Sequence, residues 1–264
     1  MQLPVSLGQM RIRLGDTEAN FEQMSAWTRE AAKQGSTLVL FPELWFSGYD
    51  LEHCQSYAAR LGEGIFARLS KLARDCHIAI GGSVLESKGG NVYNTFHLFD
   101  SSGQCSAVYR KIHLFGPMQE DKWLAPGDQL ELAQTPWGLA GLSICYDLRF
   151  PEVFRHYTLR GARLILLVAE WPISRIDHWQ TLLRARAIEN QVYIAACNCA
   201  GMTGGEKFGG CSAVIDPLGK VVIDGGSAQA LLTAEIDLDL VEETRQRLPF
   251  FRDRRPDLYS LGNL

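Results

Sequence analysis

The sequence predicts a mixed α/β fold built as one domain, and three observations predict it. Apolar strand-like runs alternate with helical patterns early in the chain, later strands follow one another across short turns, and no Pro/Gly/Ser-rich linker divides the sequence. Alternation calls for crossover helices and short turns call for antiparallel neighbours, so the sheet is mixed and helices cover its outer faces. With 264 residues, 46% of them apolar and 21% charged, the chain can bury a substantial core.

The elements follow in order. A helix is expected over 17–34, with Thr17 or Asn20 near its start. The run STLVLFPE is a strand that closes on Glu43. An amphipathic helix over 62–75 precedes the strand HIAIGGSVLE. NTFHLFD and QCSAVYRKIHL, joined by the turn SSGQ, form a hairpin. Three more strands are GLAGLSICYD, ARLILLVAE and QVYIAACNCAG, separated by helices over 151–161, opening on Pro151, and 176–190. A second hairpin, GCSAVIDPLGKVVIDGG, turns at DPLG, and a last helix covers 238–247.

Several function classes drop out on composition. A net charge of −4 and a pI near 5.9, without a Lys/Arg-rich run, make nucleic acid an unexpected partner. No basic segment followed by a long apolar one opens the chain, and no eighteen uncharged apolar residues run together. A cytoplasmic protein without a membrane span is the expectation. The seven cysteines are odd in number and lack a disulfide-scaffold spacing, so most are expected to be reduced. Cys197 and Cys199 alternate along one strand, which allows either two core thiols or half of a metal clip.

Three reactive groups share one kind of position. Glu43, Lys111 and Cys145 each stand where an apolar strand ends, the place where layered α/β folds gather reactive groups in a cleft. Together they form a complete set for attack on an amide: the carboxylate takes the thiol proton, the thiolate attacks the carbonyl carbon, and the ammonium stabilises the oxyanion. Taken singly, each also has an ordinary reading as a core thiol, a turn acid or a solvated lysine. His113 offers a Cys–His alternative, but no positioned Asn or Asp partner accompanies it. Asp147 and Glu152 suit the turn and the helix start better than the chemistry. Tyr49, Phe115 and Trp171 are candidate pocket walls. Arg149, four residues after the thiol, either binds a substrate carboxylate bidentately or makes a structural ion pair with Glu152 or Asp147.

The segments FPELWFSGYD, YRKIHLF and GLSICYDLRFPEVFR resemble the three signature stretches of the nitrilase, or carbon–nitrogen hydrolase, superfamily. The resemblance continues through LLRARAIENQVYIAACN, GGCSAVIDPLGKVV and RQRLPFFRDRRPDLY, and is strongest to the amidase branch that contains ω-amidase. It implies a four-layer α–β–β–α sandwich over residues 1–264, a thioester mechanism without metal or organic cofactor, and assembly through dimers, as a homodimer or a higher homo-oligomer; the aromatics and arginines of the tail from about 248 to 264 suit the subunit interface. It also implies roles: Glu43 as general base, Lys111 as oxyanion-stabilising cation, Cys145 as nucleophile, and Glu120 as the second glutamate that holds the lysine. The backbone N–H of Tyr146 would be the second oxyanion donor. The expected activity is hydrolysis of the terminal amide of a small carboxylate-bearing substrate. The alternatives are another branch, such as deaminated-glutathione amidase, N-carbamoyl amidase or nitrilase, and a non-catalytic binding relative. An intact Glu43–Lys111–Cys145 set weighs against the last.

Overall fold

Strands that are apolar on both faces need cover on both sides, and the chain supplies it by packing two six-stranded sheets against each other and laying helices on their backs. The computed structural model describes residues 1–259. Its strands are β1 (Gln2–Gln9), β2 (Leu38–Leu40), β3 (Ala79–Lys88), β4 (Asn91–Phe99), β5 (Cys105–Arg110), β6 (Leu132–Thr135) and β7 (Gly138–Ile144). They continue with β8 (Leu164–Ala169), β9 (Tyr193–Asn198), β10 (Ala200–Thr203), β11 (Glu206–Gly209), β12 (Ala213–Ile215), β13 (Val221–Asp224) and β14 (Ala230–Asp237). The helices are α1 (Thr17–Lys33), α2 (Cys54–Tyr57), α3 (Gly64–Cys76), α4 (Glu120–Trp123), α5 (Pro151–Leu159), α6 (Ile176–Asn190), α7 (Asp239–Arg247) and α8 (Pro256–Tyr259).

The first sheet runs β14-β1-β2-β3-β4-β5 and the second β13-β12-β9-β8-β7-β6. Each has a parallel centre, β1–β2–β3 in one and β7–β8–β9 in the other, and antiparallel flanks. Strands β1, β4 and β5 meet β9, β7 and β6 across the interface. Helices α1 and α3 cover the first sheet, and α5 and α6 the second, which gives the expected α–β–β–α layering. One core cluster spans both sheets, with Leu7, Leu40 and Leu98 from one and Ile144, Leu166 and Val168 from the other. A second lies under α1 and α3 around Met24, Phe41, Phe66, Leu69 and Ile80.

Both predicted hairpins form, β4–β5 and β12–β13, and the five expected helices, α1, α3, α5, α6 and α7, lie within a few residues of their expected bounds, whereas the single-turn helices α2, α4 and α8 were not expected. The cap of α1 is Asp16, whose carboxylate accepts from the Ala19 N–H, while Asn20 ties the backbone of Arg13 and Phe46. An additional hairpin joins β3 to β4 through Gly89 and Gly90, both left-handed at φ 59° and 84°. Strands β1, β6, β10, β11 and β14 escape the sequence pattern. Pro4, Ser6 and Gly8 break the apolar run of β1, and β14 carries Thr233 and Glu235 on an exposed face.

Candidate active site

The ends of three strands place the chemistry. Lys111 directly follows β5, Cys145 directly follows β7, and Glu43 lies three residues beyond β2. Six non-glycine residues among those described have positive φ, and His77 and Gln191 among them merely close α3 and α6. Three of the other four mark this site: Leu44 (φ 42°) after Glu43, Gln119 (φ 60°) before Glu120, and Cys145 itself (φ 45°). A side chain in the left-handed region costs energy, so neighbouring structure must hold each one there. For Cys145 that structure is a 3-10 turn over Cys145–Arg149 anchored by Asp147, which is fully buried. The Asp147 carboxylate accepts from the Ile144 N–H (2.9 Å) and the Tyr109 hydroxyl (2.7 Å), and lies 2.7 Å from His113 Nδ1.

Lys111 is the centre of the cluster. Its Nζ donates to Glu43 Oε1 at 2.8 Å and to Glu120 Oε1 at 2.6 Å, and all three side chains are fully shielded from solvent. Burial opposes the ammonium, but Glu120 and Glu43 outweigh it and raise the lysine above its ordinary range. An ammonium has three donors, so one N–H remains beyond the two that these carboxylates take. Glu43 is fixed further by Asn94 Nδ2 (2.7 Å, to Oε1) and by the backbone N–H of Glu170 (3.0 Å, to Oε2). Glu120 is fixed by the Tyr49 hydroxyl (2.5 Å) and the Phe115 N–H (2.9 Å). The Cys145 thiol is only 7% exposed. Burial and the adjacent Glu43 carboxylate push it well above its ordinary value against the pull of Lys111, so it rests as a thiol.

A narrow cleft opens over the thiol. Phe115, Tyr146, Trp171, Arg149, Arg175 and Glu170 line it together with Cys145. The expected wall residues Phe115 and Trp171 are there, whereas the Tyr49 hydroxyl is spent on Glu120, so Tyr49 supports the lysine cluster from behind. Arg149 does not pair with Glu152 or Asp147. Its guanidinium lies 4.9 Å from the Trp171 ring centroid with His178 Nδ1 at 3.4 Å, and Arg175 lies 5.4 Å from the Phe115 ring centroid. Neither arginine has a carboxylate partner among the described residues. His113 faces Asp147 and stacks on Phe150 at 3.6 Å, which removes it as a base for the thiol. Cys197 and Cys199 are buried thiols, the second 3.9 Å from Glu170 Oε2. Sequence reading overlooked Asn94, which carries no pattern of its own, and Glu170, which ends an apolar run in the same way as Glu43 and could have been noticed by that sign.

Residues 4–246 match the carbon-nitrogen hydrolase family model. The chain is 40% identical over 261 residues, covering 98% of itself and 100% of the relative, to a 2-oxoglutaramate amidase of Bacillus subtilis. It is 37% identical over 252 residues, 92% of this chain and 91% of the relative, to the human omega-amidase NIT2. Among solved structures, a CN-hydrolase superfamily protein of Xanthomonas campestris with an arsenic adduct in its active site superposes with a TM-score of 0.91 at 31% identity, covering 99% of this chain and 100% of the other. An amidase mutant from Nesterenkonia sp. AN1, with the acetamide moiety of fluoroacetamide added covalently to its active-site cysteine, superposes with a TM-score of 0.87 at 30% identity over 97% and 95% of the two chains. With the family match running from β1 into α7 and relatives matched along nearly their whole length, the chain belongs to the carbon–nitrogen hydrolase family.

Proposed function

We propose that this enzyme is a cysteine-dependent amidase of the ω-amidase kind, which releases ammonia from the terminal amide of a small carboxylate-bearing substrate such as 2-oxoglutaramate. One observation carries the reading: Lys111 bridges Glu43 and Glu120 beside the Cys145 thiol, beneath a cleft with two guanidinium groups that have no acid partner among the described residues. In this reading Glu43 takes the thiol proton as sulfur attacks the amide carbon. The third N–H of Lys111 and the backbone N–H of Tyr146 stabilise the oxyanion. Glu43 returns the proton to the departing nitrogen, ammonia leaves, and a thioester remains. Glu43 then takes a proton from water, whose oxygen attacks the thioester, and the free acid and the thiol are restored. Glu120 and Tyr49 hold the lysine, Arg149 and Arg175 bind the far carboxylate, and Phe115 and Trp171 form flat walls around a short acyl chain.

The reading extends to a cytoplasmic homodimer. Among the described residues no helix is long and apolar enough to cross a membrane, and the tail presents Phe250, Leu258 and Tyr259 on the surface, as an interface would. The predicted tail ends in residues 260–264, which lie outside those described.

Ammonia release from 2-oxoglutaramate, succinamate, deaminated glutathione, N-carbamoylputrescine and an aliphatic nitrile tests the activity. Turnover is expected for the first two, and Cys145→Ala is expected to abolish it without lowering the melting temperature. Arg149→Lys should cost roughly 1–3 kcal/mol of transition-state stabilisation on the anionic amides and far less on a neutral amide of similar size. Retained turnover in Cys145→Ala removes the thioester route. Preference for the nitrile or the carbamoyl compound moves the chain to another branch.

A further inference from the structure

Glu170 is the one acid in the cleft for which the thioester route has no use. It stands one residue past β8, beside the strand that delivers Cys145, and its backbone N–H holds Glu43 Oε2 at 3.0 Å. The residue is 1% exposed and lines the cleft together with the thiol. Its Oε2 meets only the weak Cys199 Sγ donor at 3.9 Å, and its Oε1 is buried with no hydrogen-bond partner among the described residues. A buried carboxyl oxygen left without a partner, on a residue that lines the cleft, is costly to maintain unless another group completes it.

The identity of that group follows from position. Glu43 must deliver a proton to the departing nitrogen, so in the amidase reading the scissile carboxamide nitrogen sits against Glu43, and Glu170 is the acid tethered to the Glu43 carboxylate through its own backbone. Accepting that proton requires the nitrogen lone pair to face Glu43, which turns its N–H bonds away and leaves them in need of an acceptor. Lys111 is no help, because it is a donor only and already spans Glu43 and Glu120. We propose that Glu170, held as the neutral acid, accepts a hydrogen bond through Oε1 from the carboxamide N–H, orients the leaving nitrogen, and makes the site selective for primary amides. The neutral form fits the local charge, since Lys111 bridges Glu43 and Glu120, and Glu170 has no ion-pair partner among the described residues. Glu170 is thus a specificity-determining residue whose contact exists only until ammonia leaves.

This inference rests on the amidase reading, and its signature is kinetic. Acylation should need Glu170, whereas hydrolysis of the thioester should not, because the nitrogen has gone. A residue that merely supported Glu43 would slow both steps, since Glu43 serves both. The experiment follows acylation by succinamate with rapid quench and intact-mass spectrometry. Deacylation is followed separately on enzyme loaded from an activated ester of the same acid, which bypasses the nitrogen. Glu170→Leu, with Glu170→Met as a second variant of similar volume, should acylate roughly 10- to 100-fold more slowly and deacylate within about threefold of wild type. Glu170→Gln, which matches the neutral acid in shape and keeps a carbonyl acceptor, should stay within about fivefold in both steps. Equal slowing of both steps, no slowing in the apolar variants, or a Gln variant as slow as Leu each overturns the proposal. Absence of any ammonia or acyl adduct from wild type instead overturns the amidase reading itself.

Discussion

At the scale of single residues, burial decides protonation before any substrate arrives. Cys145 and Glu170 are both pushed well above their ordinary values, first by burial and then by the Glu43 carboxylate, whereas Lys111 keeps its charge because two acids bracket it. The acid has a consequence for stability. A folded state that holds a proton on Glu170 while the unfolded chain has released it loses stability as pH rises above the ordinary value of 4.5, and below that value both states are protonated and the contribution stays level. The slope reaches at most about 1.4 kcal/mol per pH unit. Glu170→Gln removes the ionisation and keeps the shape. Its melting temperature should therefore pull ahead of wild type as pH is raised from about 5 to about 8. Thermal melts of the two proteins across that range check it, and a constant gap would mean that Glu170 is charged in the folded protein.

At the scale of an element, the turn after β7 does more for the site than the strand itself. Its left-handed Cys145 is retained because Asp147 gathers the Ile144 N–H, the Tyr109 hydroxyl and His113 Nδ1 around one buried carboxylate. Of the two acids that follow the thiol, Asp147 anchors the turn, and Glu152 lies exposed in the first turn of α5. The two should therefore behave differently. Asp147→Ala strands two buried donors and frees the strained turn, and is expected to cost about 2–4 kcal/mol of stability together with a large fall in kcat. Glu152→Ala should change stability by less than about 0.5 kcal/mol. Urea denaturation with parallel ammonia-release assays separates the cases, and similar values for the two variants would contradict this account of the turn.

At the scale of the whole molecule, what was legible in the sequence was whatever lies near in the chain or breaks a pattern. Glu43, Lys111 and Cys145 stood out because a charge or a thiol interrupts an apolar run, and α1, α3 and α5 because each carries an amphipathic period. Asn94 and the backbone bond from Glu170 to Glu43 were invisible, the first because it needs β4 set two strands from β2 within one sheet and the second because it needs the two sheets to face each other, and no local pattern records either. Strands β1 and β14 were invisible because their pairing joins Gln2 to Asp237 and Gln9 to Ala230 across almost the full chain. That pairing closes the first sheet, and its contribution can be tested on β14 alone. Ile236, opposite Leu3, is buried in the core shared by both sheets, while its neighbour Glu235, opposite Pro4, is exposed. If β14 is an integral strand, Ile236→Ala leaves a cavity between the sheets and costs about 2–4 kcal/mol. Glu235→Ala, one residue away on the opposite face, should fall within about 0.5 kcal/mol of wild type. Denaturation midpoints read this alternation directly. A slipped register would exchange the two effects, and a dispensable strand would abolish both.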